Sequence, residues 1–293
     1  RARRILPVLL VVLLATSIIS LFVLLPNDLV RYTKSLLSTL GFIANFYFWN
    51  TGGYFGLNNE LKPLLHMWSL GVEEQFYLLF PLLFFLLLKY IKRNFIIILL
   101  ISVSIICSYV LNIFFLRIES HDLAFFLFPT RAWEFGVGIL IANLPSFQIK
   151  RTQYNNLYEI IVFIIILASF FIKFEYLPQG TLICFGAALI LAKKPNKSFL
   201  FKDSTTLKIF KQIGLMSFSL YLWHWPIHSF FQYTYVDSIP SYLTIIGISM
   251  TFLLSHFSWK YIEIPFQKNE YNLSLRKYLI ISTAPILIFS FLI

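Results

Sequence analysis

Long apolar segments separated by short polar segments extend along the whole chain. Nine of them are long enough to cross the hydrocarbon core of a bilayer, or nearly so. Because helices satisfy all of their own backbone groups in lipid, the pattern predicts an all-α transmembrane helix bundle over residues 1–293. The predicted spans cover about residues 5–25, 68–89, 95–116, 123–144, 157–174, 178–193, 212–234, 240–261 and 277–293.

A further apolar segment, residues 35–49, is about fifteen residues long and contains Gly41 and Asn45, which favours an interfacial or re-entrant segment. The basic residues support this choice. With a cytoplasmic N-terminus and nine crossings, 18 of the 24 Lys and Arg residues fall in cytoplasmic segments. Counting residues 35–49 as a crossing would invert the later loops and destroy the bias.

The composition agrees with a bilayer as the solvent. The chain is 58% hydrophobic and 13% charged, with a mean hydropathy of +0.77, which excludes an ordinary soluble globular protein. The net charge of +11 does not indicate nucleic-acid binding, because the basic residues lie in short segments between the apolar runs. Cys107 and Cys184 lie inside apolar runs without a metal-binding pattern, so they are predicted to be small core residues.

The second predicted span opens with the most informative polar segment, LLHMWSLGVEEQFYLLFP, residues 64–81. At helical spacing His66, Glu73 and Tyr77 share one face, and Trp68 lies close to them. Glu74 lies about 100° away around the helix. Two carboxylates at membrane depth favour a hydrophilic cavity in which either acid orients or deprotonates a histidine or a substrate hydroxyl. A structural polar network between helices is the alternative.

Two later segments also carry polar groups at membrane depth. In PTRAWEFGVG, Arg131 and Glu134 are three residues apart and can pair, and a structural ion pair is favoured over a catalytic one. Gly136 and Gly138 in the same segment would allow close helix packing.

In MSFSLYLWHWPIHSFF, Tyr221, His224 and His228 share a helical face. Pro226 removes a helical donor and so frees a backbone carbonyl. This combination resembles a substrate path, while hydrogen-bonded packing of the histidines is an equal alternative.

The cytoplasmic boundary carries Arg1, Arg3 and Arg4 at the start of the first span and Glu263 at the end of another. Such arginines are ordinarily topology signals or anchors for anionic lipids. They can also hold phosphate groups, because guanidinium binds phosphate through two parallel hydrogen bonds. Glu263 could then position one of the arginines.

Several segments in order resemble the bacterial membrane acyltransferases of acyltransferase family three. These are RARRILP, FIANFYFW, LKPLLHMWSLGVEEQFYLLFP, TRAWEFGVG, FSLYLWHWPI and YIEIPF, and they run from residue 1 to about residue 266. The resemblance implies an enzyme that moves an acyl group, usually acetyl from cytoplasmic acetyl-CoA, to a hydroxyl of a surface glycan such as lipopolysaccharide or peptidoglycan. It implies location in the bacterial cytoplasmic membrane, with membrane lipids as neighbours and no bound cofactor or metal.

The resemblance also implies residue roles. The family's arginine-rich motif falls on Arg1, Arg3 and Arg4 as donor-binding residues with the late acid on Glu263, and its paired acids fall on Glu73 and Glu74 as catalytic residues. The expected lining of the polar interior is His66, Trp68, Tyr77, Arg131, Glu134, Tyr221 and His224. In the family, two further spans and a catalytic histidine precede the segment that matches Arg1. With the nine spans predicted here, the family implies eleven spans in all. An extracytoplasmic SGNH-type domain commonly follows the last span.

Composition and spacing alone also allow a transporter or flippase for a glycan or lipid-linked substrate, since such proteins need intramembrane acids and a broken helix as well. A structural membrane subunit without turnover is a third interpretation.

Overall fold

The chain is almost entirely helical in the part that the structure, a computed structural model, describes. These residues are 2–52, 59–147, 149, 152–172, 177–178, 180–193, 205–235 and 239–268. Within them Phe147 and Lys193 form an isolated bridge. The helices are α1 (Ala2–Val23), α2 (Pro26–Leu40), α3 (Ala44–Asn50), α4 (Met67–Tyr90), α5 (Asn94–Arg117), α6 (His121–Phe126), α7 (Phe128–Asn143), α8 (Thr152–Phe171), α9 (Thr181–Ala192), α10 (Thr205–Leu215), α11 (Ser217–Thr234), α12 (Ser241–Ser258) and α13 (Ile264–Gln267).

Six helical segments in the described residues are long and apolar enough to span a membrane. They are Arg3–Val23, Met67–Tyr90, Asn94–Arg117, His121–Asn143, Tyr154–Phe171 and Ser241–Gln267. Each coincides with one of the nine predicted spans. The run at 178–193 forms the shorter helix α9, and the run at 277–293 lies outside the described residues. The multi-pass helical class is therefore confirmed, whereas the count of nine spans is not.

Two of the apolar runs that were predicted as continuous spans each form two helices. The run at 123–144 divides into α6 and α7 at Leu127, whose backbone is extended, and Pro129 follows at the start of α7. The run at 212–234 divides into α10 and α11 at Met216. Helix α11 is not among the six spanning segments, because Ser, His, Gln and Trp side chains lower its hydropathy.

The segment predicted not to cross, residues 35–49, contains an interruption between two helices. Helix α2 already starts at Pro26 and ends at Leu40, and α3 starts at Ala44. Phe42 between them has a φ of 55°, in the left-handed region that interrupts a helix. Neither α2 nor α3 is among the six spanning segments. The polar run from 26 to 34 was not predicted as helix.

Among the described residues, those up to Gly71 and those from Ile209 to Lys268 form one compact unit, and those from Val72 to Lys208 form a second. In the first unit α1 is the central helix, since more than half of its apolar part is buried. Helices α2 and α11 pack on α1, and α12 packs on α11. Gly247 of α12 allows this last approach, because a Cβ there would lie 2.9 Å from the Phe231 ring.

In the second unit α5 packs on α7 and α8 packs on α9. Gly136 was predicted to allow close packing, and it does: a Cβ there would lie 2.5 Å from Cγ1 of Ile105. The same prediction for Gly138 is wrong, because no atom of a neighbouring element in the described part of the chain lies within 4 Å of its Cβ position. The prediction that Cys107 is a core residue is also wrong, since it is exposed on α5, while Cys184 is partly exposed on α9.

Candidate functional site

At one end of the first unit, an ion pair joins the start of α1 to the helical segment that follows α12. Arg4 on α1 donates from Nε to Oε1 of Glu263 at 2.9 Å. Ser219 on α11 donates from Oγ to Oε2 of the same carboxylate at 3.0 Å. Glu263 is 2% exposed and Arg4 is 45% exposed. The buried acid therefore fixes an arginine whose outer part faces the surface.

A local change of helix geometry carries Glu263 to this position. Residues Trp259–Glu263, between α12 and α13, form a π-helical turn. A π-turn rotates the residues after it relative to the helix before it, and such turns are common at functional sites. Trp223 on α11 helps to hold the segment, because its Nε1 donates to Ser258 Oγ at 2.9 Å.

The second feature of the first unit is a group of polar side chains centred on His66. The Tyr221 hydroxyl on α11 donates to the His66 carbonyl, and it lies 2.5 Å from the Ser69 hydroxyl on α4. The His66 ring stands edge-on to the rings of Tyr221, at 5.2 Å, and His224, at 5.5 Å. His66 lies in the turn ahead of α4, one residue before its first helical position, and not within the helix as predicted.

The carbonyl that Pro226 is predicted to free lies next to this group. Proline at 226 has no N–H to donate to the carbonyl four residues earlier, that of Leu222. The Leu222 backbone is the main-chain group that approaches the His66 ring. Helix α11 nevertheless runs without interruption from Ser217 to Thr234.

His66 is 5% exposed, and neither ring nitrogen has a partner in hydrogen-bond geometry within the described residues. Burial, followed by the neighbouring His224 ring, lowers the pKa of His66 well below its ordinary value, so the imidazole is neutral. Buried polar atoms without partners are rare in folded proteins. The Leu222 carbonyl can serve only one of the two ring nitrogens, so at least one is available to a polar group of a bound molecule, and the exposed His224 lies beside the ring.

Two contacts, one at the carboxyl end of α11 and one at its middle, tie the helix to the segments that follow α1. Tyr233 donates to Oδ2 of Asp28 on α2 at 2.7 Å. Trp225 donates from Nε1 to the Lys62 carbonyl at 2.9 Å. From Ser219 to Tyr233 the helix rises about 21 Å at 1.5 Å per residue. We call this series of contacts, from Glu263 through the His66 group to Asp28, the α11 polar line.

Glu73 and Glu74 lie on the part of α4 that belongs to the second unit, and both are half-buried. Both have interaction partners. Of their predicted neighbours, Trp68 is buried and Tyr77 is half-buried. The cluster predicted from residues 64–81 is thus divided between the two units.

Arg131 and Glu134 form the predicted pair on α7. Nε of Arg131 donates to Oε1 of Glu134 and Nη2 donates to Oε2, each at 2.9 Å. The guanidinium also lies over the Phe125 ring, with 5.7 Å between the guanidinium carbon and the ring centroid. Both groups of the pair satisfy each other, which is the geometry of a structural ion pair.

Among the predicted donor-binding residues, Arg3 is exposed and Arg1 lies outside the described residues. Sequence reasoning missed Ser219, Asp28 and Tyr233. Ser219 is one of many serines in apolar helices, and no local signal distinguishes it. Asp28 and Arg31 did carry a usable signal, because their spacing of three would predict an ion pair if residues 26–40 were recognised as a helix. That helix was not predicted.

Comparisons with known proteins place these features in context. A family model described as an acyltransferase domain matches residues 1–259. O-acetyltransferase OatA of Staphylococcus aureus strain NCTC 8325 / PS 47 is 29% identical over an alignment of 287 residues, and the alignment covers 93% of this chain and 47% of that protein. The protein of the same name from strain MRSA252 gives the same values. The chain spans about half the length of the curated relatives it matches. No solved structure gives a significant match.

Proposed function

Because the chain belongs to the acyltransferase family whose model matches residues 1–259, we propose that it is the membrane domain of an O-acyltransferase for a cell-surface glycan. The acyl group is acetyl, its donor is cytoplasmic acetyl-CoA, and the acceptor is a hydroxyl of lipopolysaccharide or peptidoglycan. In the reaction the glycan oxygen bonds to the acetyl carbonyl carbon while the thioester C–S bond breaks. CoA leaves as the thiol and carries the proton of the hydroxyl.

The observation that supports this proposal most directly is the α11 polar line. It joins an arginine at one end of the first unit to an acidic and aromatic region at the other, with the buried His66 imidazole between them. A reaction whose two substrates lie on opposite sides of a bilayer needs polar groups at both ends and near the middle. The relatives named O-acetyltransferase support acetyl as the transferred group.

We assign the donor end to Arg4 and Arg3. Only Nε of Arg4 is used by Glu263, and Arg4 makes no other hydrogen bond within the described residues. Its terminal nitrogens are therefore free to bind a CoA phosphate in the plane that Glu263 sets. Arg3 is exposed beside it. The distribution of basic residues supports a cytoplasmic location for this end, in a protein of the bacterial cytoplasmic membrane.

We assign the middle of the line to proton transfer. A neutral His66 can accept the proton of a hydroxyl, and the exposed His224 can pass it on. Glu73 and Glu74 remain our candidates for the carboxylates that hold the family's catalytic histidine, which precedes the segment matching Arg1, in its tautomer and charge state.

The test measures [14C]acetyl transfer from acetyl-CoA to endogenous glycan in membrane vesicles that contain the full-length protein. His66→Gln should lower transfer about 10²- to 10⁴-fold, the range for general acid–base help. His121→Gln is the matched control, because His121 is exposed on α6 and belongs to the second unit. Unchanged transfer in His66→Gln would remove this residue from the reaction. Glycan that crosses the membrane without gaining acetyl ester would favour the flippase instead.

A further inference from the structure

A cavity of about 570 Å³ lies in the first unit beside the carboxyl end of α1. It is lined by the end of α1, one face of α2, the aromatic residues of α3 and the turn before α4. A volume of this size is typical of small-molecule sites. We propose that this cavity binds a sugar unit of the acceptor glycan, an inference that rests on the proposed function.

The first argument is position. Leu24, directly after α1, lines the cavity, whereas Arg4 and Glu263 lie at the other end of that helix. The 22 residues of α1 correspond to about 33 Å, close to the thickness of the hydrocarbon core. If the arginine end faces cytoplasmic acetyl-CoA, the cavity faces the side on which the glycan lies.

The second argument is the chemistry of the lining. Tyr47 of α3 supplies a partly exposed aromatic ring, and Phe48 and Tyr32, both buried, also line the cavity. Sugar rings present an apolar C–H face that packs on aromatic rings and an edge of hydroxyls that needs hydrogen bonds. Groups for such bonds are present in the same cavity, on Asp28 and Arg31.

The third argument is charge. The charged lining side chains within the described residues are Asp28, Arg31 and Lys62, so the cavity is suited to neutral or acidic sugars. Asp28 lies 3.6 Å from the Arg31 guanidinium and accepts a hydrogen bond from Tyr233. Its carboxylate is therefore held in place, while the Arg31 side chain is 77% exposed and can close on a ligand.

The fourth argument is continuity with the reaction path. The Tyr233 bond to Asp28 and the Trp225 bond to the Lys62 carbonyl tie α11 to two residues that line the cavity. Trp225 is next to His224 in the chain. A sugar bound here would thus lie at the outer end of the α11 polar line, from which a hydroxyl can approach the imidazoles.

The experiment compares Arg31→Ala with Lys34→Ala in the full-length protein. Both residues are basic and exposed on α2, but only Arg31 lines the cavity. Arg31→Ala should lower the ester-linked acetate of the surface glycan at least about tenfold, the effect of one lost charge-assisted hydrogen bond. Lys34→Ala should keep the wild-type level, and the affinity for acetyl-CoA should be unchanged in both variants. Normal thermal unfolding of Arg31→Ala would exclude loss of the fold.

A binding arm does not depend on turnover. Soluble peptidoglycan fragments released by muramidase, and delipidated lipopolysaccharide polysaccharide, are tested by saturation-transfer difference NMR. At least one should bind the wild-type protein and bind Arg31→Ala more weakly. Absence of binding by both, or equal binding to both proteins, overturns the proposal for the cavity. Acetyl transfer that is absent in the wild-type protein refutes the enzymatic function instead, so the two failures are distinguishable.

Discussion

The contact between Arg4 and Glu263 leads to a prediction about the acyl donor. If Arg4 binds a CoA phosphate, Arg4→Ala removes one charge-assisted contact of about 1.5–3 kcal/mol. At about 1.4 kcal/mol per tenfold change, the affinity for acetyl-CoA should fall roughly 10- to 150-fold. Glu263→Gln keeps an oxygen that can accept from Nε but removes the charge. We expect it to weaken binding less, about three- to tenfold.

The informative quantity is the coupling between the two substitutions. If Glu263 acts by positioning Arg4, Glu263→Gln should have little further effect in the Arg4→Ala background. The assay is isothermal titration of acetyl-CoA into the full-length protein in nanodiscs, with thermal unfolding as the check on folding. Arg93→Ala is the control, because Arg93 is an exposed arginine at another predicted cytoplasmic boundary.

Two results would contradict this reasoning. Donor affinity that is unchanged in Arg4→Ala would return the arginine to a role in topology or lipid anchoring. Strictly additive effects of the two substitutions would mean that Glu263 does not act through Arg4.

Two further predictions concern the second unit. Glu73→Gln and Glu74→Gln keep the side-chain shape and remove the charge, so a catalytic carboxylate should be detected as a loss of about 10²- to 10⁴-fold in glycan acetylation at normal expression; near-normal turnover in both variants would make the pair structural. Gly136→Ala should lower the unfolding temperature, because its Cβ would lie 2.5 Å from Ile105 Cγ1, a clash of the kind that costs about 1–3 kcal/mol. Gly138→Ala has open space and should be neutral or stabilising by up to about 1 kcal/mol, and equal effects of the two alanines in a thermal melt would contradict the packing argument.

Local sequence patterns were sufficient where the structure depends on neighbours in the chain. Apolar run length identified six spanning segments, since a helix in lipid must satisfy its own backbone. The spacing of three between Arg131 and Glu134 was enough to predict their pair, because those positions adjoin on any helix. Run length failed at Leu127 and Met216, where backbone conformation divides an apolar run into two helices.

The candidate site depended on contacts between residues far apart in the chain. Arg4 and Glu263 are 259 positions apart, and the carboxylate reaches the arginine through a π-turn that no sequence pattern predicts. The sequence by itself determined the membrane class, the helical segments and the residue types at membrane depth, because these follow from hydropathy and local spacing. Only the tertiary structure decided which polar groups meet, and that Asp28 and Arg31 line a cavity, because helix packing brings together side chains from distant segments.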